Sequence, residues 1–406
     1  MSKVNIDPDR LLADLYKLRQ FGAKGTGVMR PSLSNEDLAA REWLVNRMNE
    51  AGLTSRIDGV GNVIGRSPHQ GPALLVGSHS DSQPTGGWLD GAMGAIFGLE
   101  VARACVEAGD PKLAVDAVAW IDEEGTFGSC IGSRSFCGLV SDDEIQAARN
   151  AEGLAITDAW ASAGLSGVAD TPEPGRYRGY IEAHIEQGAN LEREGNRIGV
   201  VTGIVGSRTY QVSFGGQQNH AGTTPMPLRR DAGMGLIRFA HELDARFESL
   251  AAPSTVWTIG QATFTPGAPS IIAGKAEMSL QFRDPNPEIL SQFEQTVDNL
   301  VKETNEAGVV TVDIVMAGAR VEPTAMDEGL QQNIADAAQS KVPGQWVRMP
   351  SAAVHDAMFL AQIMPSAMLF VPSIGGISHD FAENTSDEDI VTGCQVLAAA
   401  IERTLG

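Results

Sequence analysis

Cysteine is scarce in this chain, with four in 406 residues, at Cys105, Cys130, Cys137 and Cys394. They show neither CxxC spacing nor the density of a disulfide scaffold, so a stapled secreted module is excluded and a reduced, cytoplasmic setting is expected. Basic residues are also short. Thirty Lys+Arg face 51 Asp+Glu, a formal net charge of −21, and such a surface repels phosphate backbones, so nucleic acid is not an expected partner. One well-placed arginine outweighs a distant surface field, so an anionic small molecule stays open as a substrate. No apolar run approaches the roughly 20 residues of a membrane span. The opening stretch "MSKVNIDPDRLLADLYKLRQ" is charged and amphipathic, without the apolar core and cleavage site of a signal peptide.

What is present is ordinary globular composition, and 406 residues exceed what one core usually organises, so two domains are expected. "SNEDLAAREWLVNRMNEAGL" carries a capping signal at Ser34 and helical spacing up to Gly52. Four apolar runs read as buried strands: "ALLVGSH", "LAVDAVAWIDEEG", "GYIEAHIEQG" and "AMLFVPSIGGISH". A helix of small residues, "GAMGAIFGLEVARACVEAG", separates the first two, and that order predicts a mainly parallel sheet covered by helices. From about Gly206 the strands "RTYQVSFGG" and "KAEMSLQFRD" alternate apolar and polar residues, as half-exposed antiparallel strands do. The expected fold class is therefore α/β, with a mainly parallel-sheet domain built from residues 1–206 and 321–406 and a smaller α+β domain inserted at 207–320.

Each of the four apolar runs ends in potential metal donors: His79, then Glu123 and Glu124, then His184, and last His379. In open α/β sheets the reactive crevice lies at the carboxyl ends of the strands. A single histidine at such a place is more often a structural hydrogen-bonding residue. The coincidence carries the argument, because only seven histidines exist and three fall at apolar strand ends, whereas His69 and His241 read as surface residues. Imidazoles with several carboxylates suit zinc, manganese or cobalt. Asp90, in the glycine-rich loop after the first run, could bridge two ions. Asp81 points to the same side of an extended chain as His79 and could accept its second N–H. Of the Glu123–Glu124 pair, one would bind metal while its neighbour takes a proton from water.

The stretches "GSHSDSQPTGGWLDGAMG", "DEEGTFGSCIGSRSFCG", "HIEQGANLEREGNRIGVVTGIVG", "NHAGTTPMPLRRDA" and "GISHDFAE" together resemble the hydantoinase/carbamoylase group of the M20 metallopeptidase family. That group includes N-carbamoyl-L-amino-acid hydrolases, metal-dependent β-ureidopropionases and allantoate amidohydrolases. The resemblance implies a dinuclear site of two divalent ions (Zn, Mn or Co) held by His79, Asp90, Glu124, His184 and His379, with Asp90 bridging. It implies that Glu123 is the general base, that Asp81 is the orienting carboxylate, and that His220 of the inserted domain binds the scissile carbonyl oxygen across a dimer. Gln187 and Arg283 match substrate-binding positions, the arginine holding a carboxylate. The inserted domain would then serve as lid and dimerisation domain of a homodimer. The implied activity is hydrolysis of an N-carbamoyl amino acid to amino acid, carbon dioxide and ammonia, with allantoate, a ureidoglycolate-type compound or an N-acyl amino acid as the alternative substrate.

Two places depart from the pattern. Ser270 stands where the group commonly has a substrate-binding Asn, and in "PSAAVHDAM" Ala352 and Val354 replace two glycines. Cβ atoms there would alter the pocket wall, which is compatible either with neutral adjustment or with a changed substrate. His355 of the same segment is expected to make a structural hydrogen bond.

Overall fold

The computed structural model describes residues 4–69, 71–318 and 320–406. In chain order it begins with helices α1 (Pro8–Arg19) and α2 (Asn35–Glu50), strands β1 (Thr54–Ile57), β2 (Val63–Arg66) and β3 (Ala73–His79), then α3 (Ala92–Ala108), β4 (Val115–Trp120), β5 (Tyr177–Ile185) and β6 (Ile198–Ile204). Next come β7 (Gly206–Gly215), α4 (Ala232–Leu250), β8 (Val256–Thr265), β9 (Lys275–Asp284), α5 (Pro287–Ala307) and β10 (Thr311–Met316). The chain closes with α6 (Glu328–Lys341), β11 (Trp346–Ser351), β12 (Ser366–Val371) and α7 (Asp387–Leu405). Local chemistry sets the helix starts. Asp7 accepts from the N–H groups of Asp9 and Arg10 ahead of α1, with Pro8 at its first position, and Ser34 accepts from Asp37 N–H ahead of α2.

Two compact units result, one of Met1–Thr202 with Ala325–Gly406 and one of Gly203–Thr324. The limits lie four residues outside 207 and 320 at each end, because β6 runs on into β7 with a single residue between and Ser207 still bridges Val321. In the first unit the sheet runs β6–β12–β5–β3–β4–β2–β1, with β11 also on β6. The four strands expected from the apolar runs are its parallel centre, β12 on β5, β5 on β3 and β3 on β4. The flanks differ from a mainly parallel reading: β6, β2 and β1 all pair antiparallel. The sheet is mixed, with its parallel strands in the middle where both faces are covered. All seven residues of β3 and all six of β4 and β12 are buried, and α1, α2, α3, α6 and α7 share one core with them.

The second unit is a four-stranded antiparallel sheet, β8–β9–β7–β10. In β9 burial alternates strictly, with Ala276, Met278, Leu280 and Phe282 turned into a core shared with α4 and α5, as period-two packing demands. No helix among the described residues is long and apolar enough to cross a membrane.

Candidate metal centre

The parallel strands deliver their polar ends side by side. His79 is the last residue of β3 and His184 the penultimate residue of β5, and both are buried. Glu123 and Glu124 follow β4 after a turn in which Asp122 takes φ +58. His379 comes eight residues beyond Val371, the end of β12, rather than at the strand end itself. A turn through Gly375 and Gly376, both at positive φ, brings it back. Donor atoms of His79, Asp90 and His184 lie within 4.8 Å of one another, and so do those of Asp90, Glu124 and His379. Asp90 belongs to both groups and divides its oxygens between them. Its Oδ1 is 3.1 Å from His184 Nε2 and 3.6 Å from His79 Nε2, while Oδ2 is 3.2 Å from His379 Nε2.

The far nitrogens of the two buried imidazoles face acceptors. His79 Nδ1 is 3.1 Å from the Asp81 carbonyl oxygen and 3.6 Å from its carboxylate, and His184 Nδ1 is 2.9 Å from the Ile185 carbonyl. Each Nδ1 therefore carries the proton, which leaves the Nε2 lone pair turned toward Asp90, the state a metal ligand needs. The Asp81 carboxylate does a second job, accepting from Ser32 Oγ at 3.0 Å and from Glu124 N–H at 3.2 Å, so it braces the turn that carries the glutamate pair. Glu123 Oε2 lies 3.6 Å from His79 Nε2. Glu124 is steered by Gln83, whose Nε2 donates to it at 2.7 Å.

Crowding of buried carboxylates governs the charges. Burial, with Asp356, Glu124 and Asp90 nearby, raises Glu123 well above the usual carboxylate range against the pull of His79. Burial and Asp90 push Glu124 up to about 7. Asp90 goes the other way: burial opposes its charge, but His184, His379 and His79 together hold it well below its ordinary value. The Asp90 carboxylate lifts His379 to about 9. Imidazole and carboxylate donors gathered in this way could hold divalent cations.

Cation binding at these residues has to displace protons. Because Glu124 titrates near 7 and His379 near 9, protons occupy both donors at pH 6, leave Glu124 between pH 7 and 8, and have left His379 only in half of the molecules at pH 9. Affinity of the chelated protein for Mn²⁺ should accordingly rise with pH, by about tenfold per unit for each proton displaced. Calorimetric titrations at pH 6, 7, 8 and 9 read this directly, and a flat profile would count against these donors. Gly91, at φ +62, allows a second test. A Cβ there would sit 2.3 Å from His79 Nε2, so Gly91→Ala should push the imidazole aside and weaken Mn²⁺ binding by about 10- to 100-fold.

The sequence profile of peptidase family M20/M25/M40 matches residues 75–403, which spans the whole of this donor set. The chain belongs to that family. It is 35% identical over 402 residues to an N-carbamoyl-L-amino-acid amidohydrolase of Paenarthrobacter aurescens, covering 96% of each chain. It is 33% identical to the allantoate amidohydrolase of Escherichia coli strain K12, covering 94% of each. Among solved structures, an amidase of the hydantoinase/carbamoylase family from Burkholderia phymatum superposes with a TM-score of 0.94 at 52% identity, over 99% of this chain and 98% of that one.

In this M20 chain the inserted unit brings two of the expected substrate residues together and leaves the third apart. His220 pairs in register with Ile271, and Ala221 N–H donates to the Ser270 carbonyl at 2.9 Å. The exposed His220 accepts at Nδ1 from Gly222 N–H (3.0 Å) and Thr223 N–H (3.2 Å), so its proton resides on Nε2, free to donate outward. Arg283 sits opposite Ser207 at the other end of β9, whose first residue, Lys275, pairs with Gly215. Eight residues at about 3.3 Å each put Arg283 roughly 26 Å along the strand from Lys275.

In the first unit Gln187 reaches the centre, its Nε2 3.1 Å from Asp90 Oδ2 and 3.3 Å from His379 Nε2. His355 makes the expected hydrogen bond, to Ser351 Oγ at 3.0 Å. Its ring also stands edge-on to His184 at 4.5 Å, and burial with that neighbour holds it neutral, well below its ordinary pKa. Ala352 and Val354 are not among the residues at positive φ, so the backbone there does not itself demand glycine. Two supports had no signal in the sequence. One is Gln83. The other is Arg30, fully buried, which donates to the Ser80 carbonyl at 2.7 Å and to the Leu18 and Phe21 carbonyls beside α1, anchoring the turn between His79 and Asp81.

Proposed function

We propose that this M20 chain is a metal-dependent amidohydrolase of linear C–N bonds other than peptide bonds, taking an N-carbamoyl amino acid to the amino acid, carbon dioxide and ammonia. The observation that carries it is the division of Asp90, one oxygen toward each donor triad. His79, Asp90 and His184 would hold one divalent ion (Zn, Mn or Co) and Asp90, Glu124 and His379 the other. When bound, such a pair polarises a carbonyl and acidifies water. Glu123, outside both triads and buried into high proton affinity, takes the proton of the attacking water and returns it to the leaving nitrogen. Asp81 and Asp90 keep the imidazoles oriented. His220, with its proton on Nε2, donates to the carbonyl oxygen as charge collects there, a contact typically worth about 10² to 10³ in rate.

Gln187 lies beside the second triad to orient the substrate, and Arg283 holds its carboxylate. One substrate cannot span the roughly 26 Å of β9 that separates Arg283 from the His220 end, so the two serve the same pocket from different copies of the chain. That separation supports a homodimer; the inserted unit is read as its lid and dimerisation domain, and the cytoplasm as its compartment. Ser270, Ala352 and Val354 favour a second substrate reading, allantoate, a ureidoglycolate-type compound or an N-acyl amino acid, since each changes a wall meant for an α-carboxylate.

The test is ammonia release by the Mn²⁺-, Zn²⁺- or Co²⁺-loaded protein from N-carbamoyl-L- and D-amino acids, N-carbamoyl-β-alanine and allantoate, each with a chelated control. Metal-dependent release from the carbamoyl amino acids is expected. Silence on them with release from allantoate would transfer the reading to the second substrate class.

A further inference from the structure

Glu383 belongs to neither donor triad, yet only 2% of it is exposed and its carboxylate is clasped between two segments of the centre. One oxygen, Oε1, accepts the N–H groups of Leu89 (3.1 Å) and Asp90 (3.0 Å). The other, Oε2, accepts the Ser378 hydroxyl at 2.9 Å, one residue before His379. The facing loop makes room for it: a Cβ on Gly87 would lie 1.9 Å from Glu383 Cδ. A single side chain thus joins the backbone of the shared aspartate to the neighbour of the last histidine.

That histidine needs holding. Its side chain is half exposed, it follows a turn rather than sitting in a strand, and it takes φ +55, a backbone state that persists for a non-glycine residue only where its surroundings fix it. Asp90 approaches from the opposite side, on the loop before α3. No strand pairing sets the gap between Asp90 Oδ2 and His379 Nε2, whereas the Glu383 clasp spans it.

We propose that Glu383 is a positioning residue that sets the Asp90–His379 separation, so that the ion of the second triad depends on it while the ion of the first does not. The inference rests on the two-ion reading above. Its test is calorimetric titration of chelated protein with Mn²⁺, read as stoichiometry and affinity, beside melting of the metal-free protein. The unaltered protein should bind two ions. Glu383→Ala should bind one with unchanged affinity and the other about 10- to 100-fold more weakly. Glu383→Gln keeps an acceptor for the Leu89 and Asp90 amides and an amide to reach Ser378, so it should recover most of that loss. Ser378→Ala, which removes one arm of the clasp, should weaken the second ion alone.

Two unchanged affinities in a folded Glu383→Ala would overturn the proposal and leave the two-ion reading standing. If Glu383→Ala does not fold, an unchanged second ion in Ser378→Ala would overturn it equally. Fewer than two ions in the unaltered protein would instead defeat the two-ion reading itself.

Discussion

Glu123→Gln should retain its divalent ions and lose nearly all turnover, a fall of about 10² to 10⁴ in kcat. The side chain stands at the edge of the donor set, 3.6 Å from His79 Nε2 and outside both triads, so an amide of the same shape leaves the donors undisturbed. What it removes is the proton acceptor. Burial among carboxylates gives Glu123 a raised proton affinity, which suits a group that must take a proton from water and then hand it on. Metal content and kcat measured on one preparation decide the matter. Full activity would take Glu123 out of the role, and loss of an ion would make it a ligand instead.

Asp90→Ala should cost both ions at once, and activity with them. Were the two triads independent, deleting one ligand would spare one ion. Here each triad borrows a different oxygen of the same carboxylate, and the alanine leaves only His79 and His184 on one side and Glu124 and His379 on the other. Those pairs would also lose the negative charge that lifts His379 to about 9. Elemental analysis after dialysis should find essentially no metal, against two ions per chain without the substitution. One ion retained at full affinity would show that the triads do not share Asp90.

Part of this centre was legible because a buried strand ending in a histidine is a local pattern, which His79 and His184 follow, whereas His379 lies eight residues past its strand and is brought back by a turn. Pairing direction is not local. Nothing in "TSRI" or "VIGR" announces that β1 and β2 run antiparallel beside the parallel strands. The unit limits were blurred for a related reason, since β6 and β7 follow each other with one residue between and no loop marks the change. Gln83, Arg30 and Glu383 escaped notice because their partners are distant; the amide of Asp90 meets Glu383 across 293 positions, a relation that leaves no spacing in the chain. The resemblance gave both His220 and Arg283 to the substrate, and only strand register reveals that Arg283 lies at the far end of β9 from Lys275, whereas His220 pairs with Ile271, just ahead of that strand.

The donors are also spread unevenly along the chain, and this orders events during synthesis. His79, Asp90 and His184, at the end of β3, in the loop after it and near the end of β5, are all synthesised before the inserted unit is begun. The second triad waits for His379, which is made only after the whole of Gly203–Thr324. A growing chain therefore carries all but the last of these donors before the inserted unit is made, and only His379 comes after it.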